Sequence, residues 1–183
     1  YITKDDTIIF APGFNDELDC ELLNKYKKII FSNYDLDSSL FDAYENSNFK
    51  GLKYIGSKFN QSINNLPSTI THLTFDFYFN QSVDNLPSSI THLTFGSNFN
   101  QSVDNLPSSI IHLTFGGYFN QSVDNLPSSI IHLSFDTHFN KSMDNLPPSI
   151  THLTFDKYSK FNNSLNNLPR LIEFIQLPVK YEN

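Results

Sequence analysis

A Phe-Asn pair returns along this chain at a nearly constant interval, and that interval restricts the possible folds more than any other feature. Four successive steps between pairs are 20 residues and the last is 22. The pairs begin at Phe59, Phe79, Phe99, Phe119, Phe139 and Phe161. A unit this short cannot bury its apolar side chains alone, whereas stacked copies bury one another. The spacing therefore predicts a repeat solenoid.

Each unit places its apolar residues at the same positions, and only one short stretch alternates as a strand does. In one unit the apolar set is Ile90, Leu93, Phe95, Phe99, Val103 and Leu106, followed by Pro107. The stretch Leu93-Thr94-Phe95 alternates, while Asn, Asp, Ser and Pro supply turns elsewhere. We expect short parallel strands roughly 4.8 Å apart in one curved sheet, with mostly loops and turns on the opposite side. About eight or nine coils are expected, with inward Phe residues in continuous columns.

The chain follows the repeat with different fidelity in three parts. Residues 59–158 are expected to form the regular array. Residues 1–58 are expected to hold two or three degenerate coils that cap the N-terminal end, and residues 159–183 a divergent last coil and a C-terminal cap. Within the last part, Pro178, Lys180 and Glu182 are placed to protect the final sheet edge.

The N-terminal part carries weaker traces of the same pattern. Strand-like stretches occur at residues 7–10, 29–31 and 52–55, and a Phe-Asn pair begins at Phe14. Because Phe59 stands four residues beyond Ile55, we expect residues 52–55 to form a strand of the array. Residues 17–28 are alternatively expected to form a helical turn or two on the outer side.

The repeated unit resembles a known family. The residues 99–116 read Phe-Asn-Gln-Ser-Val-Asp-Asn-Leu-Pro-Ser-Ser-Ile-Ile-His-Leu-Thr-Phe-Gly, and this order is similar to the FNIP repeat of slime moulds and giant viruses. The resemblance covers roughly residues 50–177, although family units are usually longer than 20 residues. It implies a leucine-rich-repeat-like solenoid that binds proteins. Many members carry an F-box that recruits a Skp1-type adaptor to a ubiquitin ligase, but no F-box helical pattern is present here.

Charge and composition exclude several kinds of partner. The net charge is −7, and residues 59–158 hold 2 Lys against 7 Asp, which disfavours nucleic acid and anionic membranes. No apolar run is long enough for a transmembrane helix. The single Cys20 fits a reducing compartment, so we expect an intracellular, cytoplasmic protein, in the host cytoplasm if it is viral. Because the chain begins at Tyr1, we expect residues upstream, and a Skp1-type partner only if they include an F-box.

Two outward columns form what we call the His/Thr face. If Leu93 and Phe95 point inward, then the residues on either side of Leu93 point outward in every coil. The first column is His72, His92, His112, His132 and His152. The second column is Thr74, Thr94, Thr114, Ser134 and Thr154. Next to them run Asp76, Gly96, Gly116, Asp136 and Asp156.

The histidine column permits three interpretations. The first is a packing ladder, and the second is a partner-binding face; the two can coexist. The third is a metal site, which we disfavour because zinc requires about four converging ligands and a straight row offers at most two. Five aligned imidazoles titrate as a coupled set, so we expect stability or partner binding to fall as the pH drops through the histidine range.

Two further polar columns also have a structural and a functional interpretation. The Asn of each Phe-Asn pair opens an Asn-x-Ser glycosylation sequence, but we favour an inward amide ladder that bonds to the turns of adjacent coils. A second column comprises Asp84, Asp104, Asp124 and Asp144, with Asn64 and Asn166 at its ends. We interpret it as turn capping, since calcium needs six to eight converging oxygens. No cofactor, metal or catalytic site is expected, because any Ser-His-Asp set recurs in every coil.

One strip of each coil varies while the framework repeats, and we call it the variable rim. It lies at the strand exit, at residues 77–78, 97–98, 117–118, 137–138 and 157–158. The candidate protein-binding face combines the His/Thr face with the rim residues Tyr78, Asn98, Tyr118, His138 and Tyr158. The predicted function is a protein-interaction solenoid on a concave sheet, and the alternative is a structural or assembly protein without a dedicated ligand.

Overall fold

Nine strands form a single sheet whose spatial order follows the chain in the computed structural model, which describes residues 1–50 and 52–182. The strands are β1 Ile2–Lys4, β2 Thr7–Phe10, β3 Lys28–Phe31, β4 His72–Thr74, β5 His92–Thr94, β6 His112–Thr114, β7 His132–Phe135, β8 His152–Phe155 and β9 Phe174–Gln176. Two short helices are present, α1 Cys20–Leu23 and α2 Leu40–Asn46. Strands β2 to β9 pair in parallel, and only β1 is antiparallel. The predicted solenoid is confirmed, with about eight turns.

The strand register is that of the repeat itself. Leu73 pairs with Leu93 and His72 with His92, and the same pairing continues through β8. In each of these strands the central Leu is buried and its neighbours are half-buried, so His and Thr face outward as predicted. Because successive side chains of a strand point to opposite faces, one inward Leu is enough to orient the whole row.

Paired phenylalanines fill the core, and they confirm the predicted aromatic columns. Within one coil the rings of Phe95 and Phe99 stack at 3.7 Å between centroids, and between coils Phe99 lies 6.1 Å from Phe119. All three are essentially inaccessible to solvent. Each buried side chain of this size contributes about 1.5–3 kcal/mol, so the columns supply much of the free energy that holds adjacent coils together.

An amide ladder runs along the array beside these columns. Asn80 Oδ1 accepts a hydrogen bond of 2.9 Å from the backbone N–H of Asn100, and the same bond links each Phe-Asn pair to the next. The ladder is therefore confirmed, but its expected inward position is wrong. These side chains are half-buried or exposed at the coil surface. Only the oxygen is required by the neighbouring turn, so the remainder of the amide need not enter the apolar core.

The N-terminal part contains a long insertion within one coil. The rings of Phe31 and Phe59 stack at 3.8 Å, as Phe75 and Phe79 do at 3.7 Å, so residues 32–58 occupy the place of residues 76–78. The expected strand at residues 52–55 is therefore wrong. Tyr54 forms only an isolated antiparallel bridge to Tyr34. The apparent match failed because Phe59 pairs with Phe31, which is distant in sequence, and not with Ile55.

Other terminal features agree with the sequence only in part. The expected helical turn is α1, where the Asp19 side chain accepts hydrogen bonds from the N–H groups of Glu21 and Leu22. At the other end the ring of Tyr181 stacks on Phe161 at 6.0 Å, and Asn162 Oδ1 accepts from the Glu182 N–H. The pair Tyr181-Glu182 thus takes a Phe-Asn place that the sequence pattern did not reveal.

Within the described residues, neither helix has the length and apolar character of a membrane span.

Candidate functional site

The five histidines of the His/Thr face stack into one continuous column. Neighbouring imidazole centroids are 4.0–4.3 Å apart, and the first three pairs of planes are inclined by 10–13°. The last pair, His132 and His152, is inclined by 28°. Parallel pairing at strand spacing imposes this arrangement, because the same side chain occupies the same position in adjacent strands.

The residue before each histidine decides whether its ring has a local hydrogen-bond partner. Thr71 Oγ1 lies 2.8 Å from His72 Nδ1, and the same contact occurs at His92 and His152. In the two central coils the preceding residue is isoleucine, Ile111 or Ile131, which has no such group. The column is therefore anchored by threonine hydroxyls at both ends and is more apolar at its centre.

The histidine column is adapted to the neutral form of the imidazole. Burial and the neighbouring His92 and His132 lower the pKa of His112 from 6.5 to about 4. Burial is also the main cause of the lowered pKa values of His72, His92 and His132. At neutral pH the rings of His72, His92, His112 and His132 are thus uncharged. Within the described residues, no group of three or more His, Cys, Asp or Glu side chains is arranged to hold a metal ion.

The threonine column lies beside the histidines, and the glycine positions next to it bring two coils unusually close. Thr154 Oγ1 donates to Ser134 Oγ at 2.6 Å. A Cβ added at Gly96 would overlap the backbone oxygen of Asp76, and one added at Gly116 would overlap that of Gly96. Glycine is therefore required at both positions for the backbones to approach as they do.

The variable rim presents exposed aromatic rings. Tyr78, Tyr118 and Tyr158 are 49%, 54% and 71% exposed. Tyr118 stacks on His138 at 4.9 Å, and Lys157 Nζ lies 4.8 Å above the Tyr158 ring. Asn98 at this rim is half-buried, and its N–H donates to the backbone oxygen of Phe77. The candidate residues therefore lie either in the two columns of β4 to β8 or in the turns that follow these strands.

The aspartate column lies in the turns, where it has the capping role that the sequence predicted. Asp104 Oδ2 accepts from Ser102 Oγ at 2.9 Å, and Asp104 Oδ1 accepts from Asn125 Nδ2 of the next coil at 3.1 Å. The same bonds recur at Asp84 and Asp124. The bonds from one coil to the next were not predicted, although the constant Asn after each Asp is their signal in the sequence.

The sequence also gave no indication of a cavity at the N-terminal end of the His/Thr face. It has a volume of about 360 Å³ and lies between the β1–β2 hairpin, β3, β4 and helix α2 of the insertion. Its lining residues are Lys4, Asp5, Asp6, Thr7, Lys28, Ile29, Ile30, Phe41, Tyr44, Glu45, His72 and Thr74. The first His and the first Thr of the two columns therefore form part of its wall.

Helix α2 is tied to the array by a compact polar cluster. Asp76 Oδ2 accepts hydrogen bonds of 2.7 Å from Tyr44 Oη and 2.8 Å from the Asn33 N–H. Tyr44 Oη also lies 3.1 Å from Ser32 Oγ. Burial raises the pKa of Asp76 to about 6 and is the main reason that the Tyr44 pKa is raised as well. This cluster fixes helix α2, the side wall of the cavity, relative to the residues that follow β4.

Comparisons with known proteins identify the repeat. The family model described as FNIP Repeat matches residues 59–97, 79–118, 99–138 and 119–158. These overlapping matches together cover residues 59–158, which is more than half of the chain. A comparison with curated proteins gives no significant match.

Proposed function

The chain belongs to the FNIP-repeat family, and from this premise we propose that it is a protein-interaction solenoid that binds its partner with the His/Thr face and the variable rim. One observation carries the proposal: the framework is nearly invariant from coil to coil, while the half-buried to exposed rim beside it differs in every coil. A surface of this kind can distinguish partners without any change in the core, because the rim side chains do not determine the packing.

The chemistry of this surface suits a protein partner. Tyrosine provides a large, rigid contact area and a hydroxyl group, and it is enriched at the centres of protein interfaces. Tyr78, Tyr118 and Tyr158 are all exposed to solvent. The neutral imidazoles of His72, His92 and His112 add a surface that loses little charge hydration on contact. The same chemistry gives no reason to assign catalysis, since each coil repeats the same side chains.

A finer version of the proposal concerns ubiquitin ligases. If the complete protein carries an F-box, as many proteins with this repeat do, the array would select substrates in the cytoplasm while a Skp1-type adaptor binds the F-box. The test is capture of the adaptor by the full-length protein and not by residues 1–183 alone. Capture by residues 1–183, or by neither form, would remove the ligase role and leave the interaction role untouched.

The interaction role is tested by capture of proteins from a host-cell lysate. The variant Tyr78→Ala, Tyr118→Ala, His138→Ala removes rim side chains without altering the Phe columns, and circular dichroism checks its fold. The matched control is Ser88→Ala, Ser108→Ala, Ser128→Ala, three exposed turn positions. We expect one partner to be captured by the parent and the control, and about tenfold less by the rim variant. Equal capture by all three proteins would contradict the proposal.

A structural role is the second candidate, and one observation favours it. Strand β9 pairs with β8 and with no other described strand, and Leu171, Phe174 and Val179 near it are exposed. An apolar sheet edge is a template for end-to-end association. Light scattering across a concentration series separates the two roles, because an assembly protein grows with concentration while an interaction module stays at one mass until its partner is added.

A further inference from the structure

The cavity at the N-terminal end of the His/Thr face is lined by residues of the β1–β2 hairpin, β3, β4 and helix α2. Its floor includes Ile29 and Ile30 of β3, and its side wall is formed by α2 through Phe41 and Tyr44. The volume of about 360 Å³ lies within the range of pockets that bind small ligands. The regular coils have no such wall, since α2 belongs to the insertion at residues 32–58.

Negative charge predominates in this pocket. Asp5, Asp6 and Glu45 line it, together with Lys4 and Lys28. Lys4 Nζ already lies 3.6 Å from the carboxylate of Asp42, which offsets its charge. Three carboxylates thus act against one uncompensated cation, Lys28, and the net field attracts a positive group.

The apolar part of the pocket suits a long side chain that ends in a planar cation. Ile30 and the rings of Phe41 and Tyr44 provide a surface along which an aliphatic stem can lie. Lys4 Nζ lies 5.8 Å from the centroid of the Phe41 ring, so a cation already reaches this ring. Guanidinium groups stack on aromatic rings and form paired hydrogen bonds with carboxylates, whereas a lysine ammonium acts as a point charge.

We propose that this pocket binds an arginine side chain of the partner polypeptide, and that it anchors one end of a segment lying along the His/Thr face. The inference rests on the proposed interaction role, because the pocket opens beside His72 and Thr74, the first members of the two columns. The overall charge of −7 favours approach of a basic segment to the protein.

The direct test is a titration of the whole chain with N-acetyl-arginine-amide, followed by NMR of the backbone amides. N-acetyl-citrulline-amide has nearly the same shape without the charge and serves as the matched ligand. We expect shifts concentrated at Thr7, Ile30 and Thr74, with at least about tenfold tighter binding of the arginine compound and weaker binding of the lysine analogue. Equal affinity for arginine and citrulline, shifts spread over the chain, or no shift would overturn the inference.

Substitutions that remove negative charge and substitutions that remove positive charge distinguish binding in the pocket from attraction by the overall charge of the protein. Asp6→Asn with Glu45→Gln should weaken binding of the arginine compound about tenfold, because two charge-assisted contacts are lost. The control Asp16→Asn with Glu17→Gln removes the same charge at two exposed positions elsewhere. Lys28→Gln should strengthen binding about threefold, and a change that destabilises the fold cannot produce such a gain. Equal loss in the control pair, or no gain for Lys28→Gln, would contradict the arginine site.

The lysate capture keeps this inference distinct from the proposed function. If the rim variant loses the partner while Asp6→Asn with Glu45→Gln retains it, then the interaction role stands and the arginine anchor is wrong. If both variants retain the same partner, the rim is not the binding surface and the arginine anchor is wrong. Loss in both variants, with capture kept by Asp16→Asn with Glu17→Gln, supports the two proposals together.

Discussion

The coil that contains the insertion and the coils of the regular array have the same core and different surfaces. Phe31 and Phe59 stack in the first as Phe95 and Phe99 stack in the second, at nearly the same distance, although residues 32–58 separate the first pair. The core register is therefore independent of the length of the strand-exit loop. Loop closure costs little more for a long loop than for a moderate one, so this point of the coil can accept added structure.

The comparison also shows what an insertion changes. In the regular array the outward face is a row of half-buried His and Thr side chains, and the next column consists of glycine or aspartate. In the first coils α2 covers that face, Asp76 is bonded to Tyr44, and an acidic pocket opens beside His72. A repeated core thus permits a unique site, because only one coil carries the extra segment.

The largest expected effect tests whether the two Phe stacks are equivalent. Phe99→Ala in the array and Phe59→Ala in the insertion coil should each lower the free energy of unfolding by about 3–5 kcal/mol, because both rings are fully buried and stacked. Urea unfolding measures both values. A cost below about 1 kcal/mol for Phe59→Ala would show that the insertion coil does not share the core of the array.

A smaller effect is expected where the backbones of the regular coils approach closely. Gly116→Ala should destabilise the chain by about 1–3 kcal/mol, because its new Cβ has no room against the Gly96 carbonyl. Gly117→Ala is the matched control, since the nearest atom would be 3.8 Å away, and it should stay within about 0.5 kcal/mol of the parent. Thermal unfolding of the two variants decides the point, and equal melting temperatures would show that the contact relaxes freely.

The two regions should respond to pH with opposite signs. The pKa of His112 is lowered to about 4 in the folded chain, so the unfolded chain binds protons first as the pH falls below 6.5, and the array loses stability. The pKa of Asp76 is raised to about 6, so the folded chain binds a proton first between pH 6 and 4, and the junction with α2 gains stability.

Substitution of each group isolates its contribution to this pH dependence. His112→Gln should reduce the loss of Tm between pH 7.5 and 4.5, and Asp76→Asn should increase it, each by about 2–4 °C, the shift expected for about 1 kcal/mol in a chain of this size. Differential scanning calorimetry at several pH values measures the slopes. A parent Tm that is flat between pH 7.5 and 5.5 would contradict the role of the histidine column.

The smallest effect is expected in the exposed turns, where the chain supplies its own control. Asp104→Asn should change the free energy of unfolding by less than about 0.5 kcal/mol, because Asn64 accepts from Asn85 Nδ2 at the corresponding place. Asp104→Ala should cost about 1 kcal/mol, since the bonds from Ser102 and Asn125 are lost. Chemical unfolding of the pair resolves the difference, and an Asn variant as unstable as the Ala variant would mean that the charge matters in itself.

The sequence alone determined the solenoid, the parallel register and the identity of the outward columns. Each coil has the same neighbours, so the position of one residue such as Leu93 specifies that of its counterparts in every regular coil. The turn-capping role of the aspartates followed for the same reason, because it depends on residues that are close in sequence.

Only the tertiary structure decided the features that depend on contacts between distant residues. The partner of Phe59 is Phe31 and not Ile55, and Tyr181 takes a phenylalanine place although the motif is lost. The pocket needs α2 to fold back over β3 and β4, which no local pattern encodes. The physical reason is that each regular coil takes its register from nearly identical neighbours. The position of the insertion instead depends on one contact between distant residues, the stack of Phe31 on Phe59.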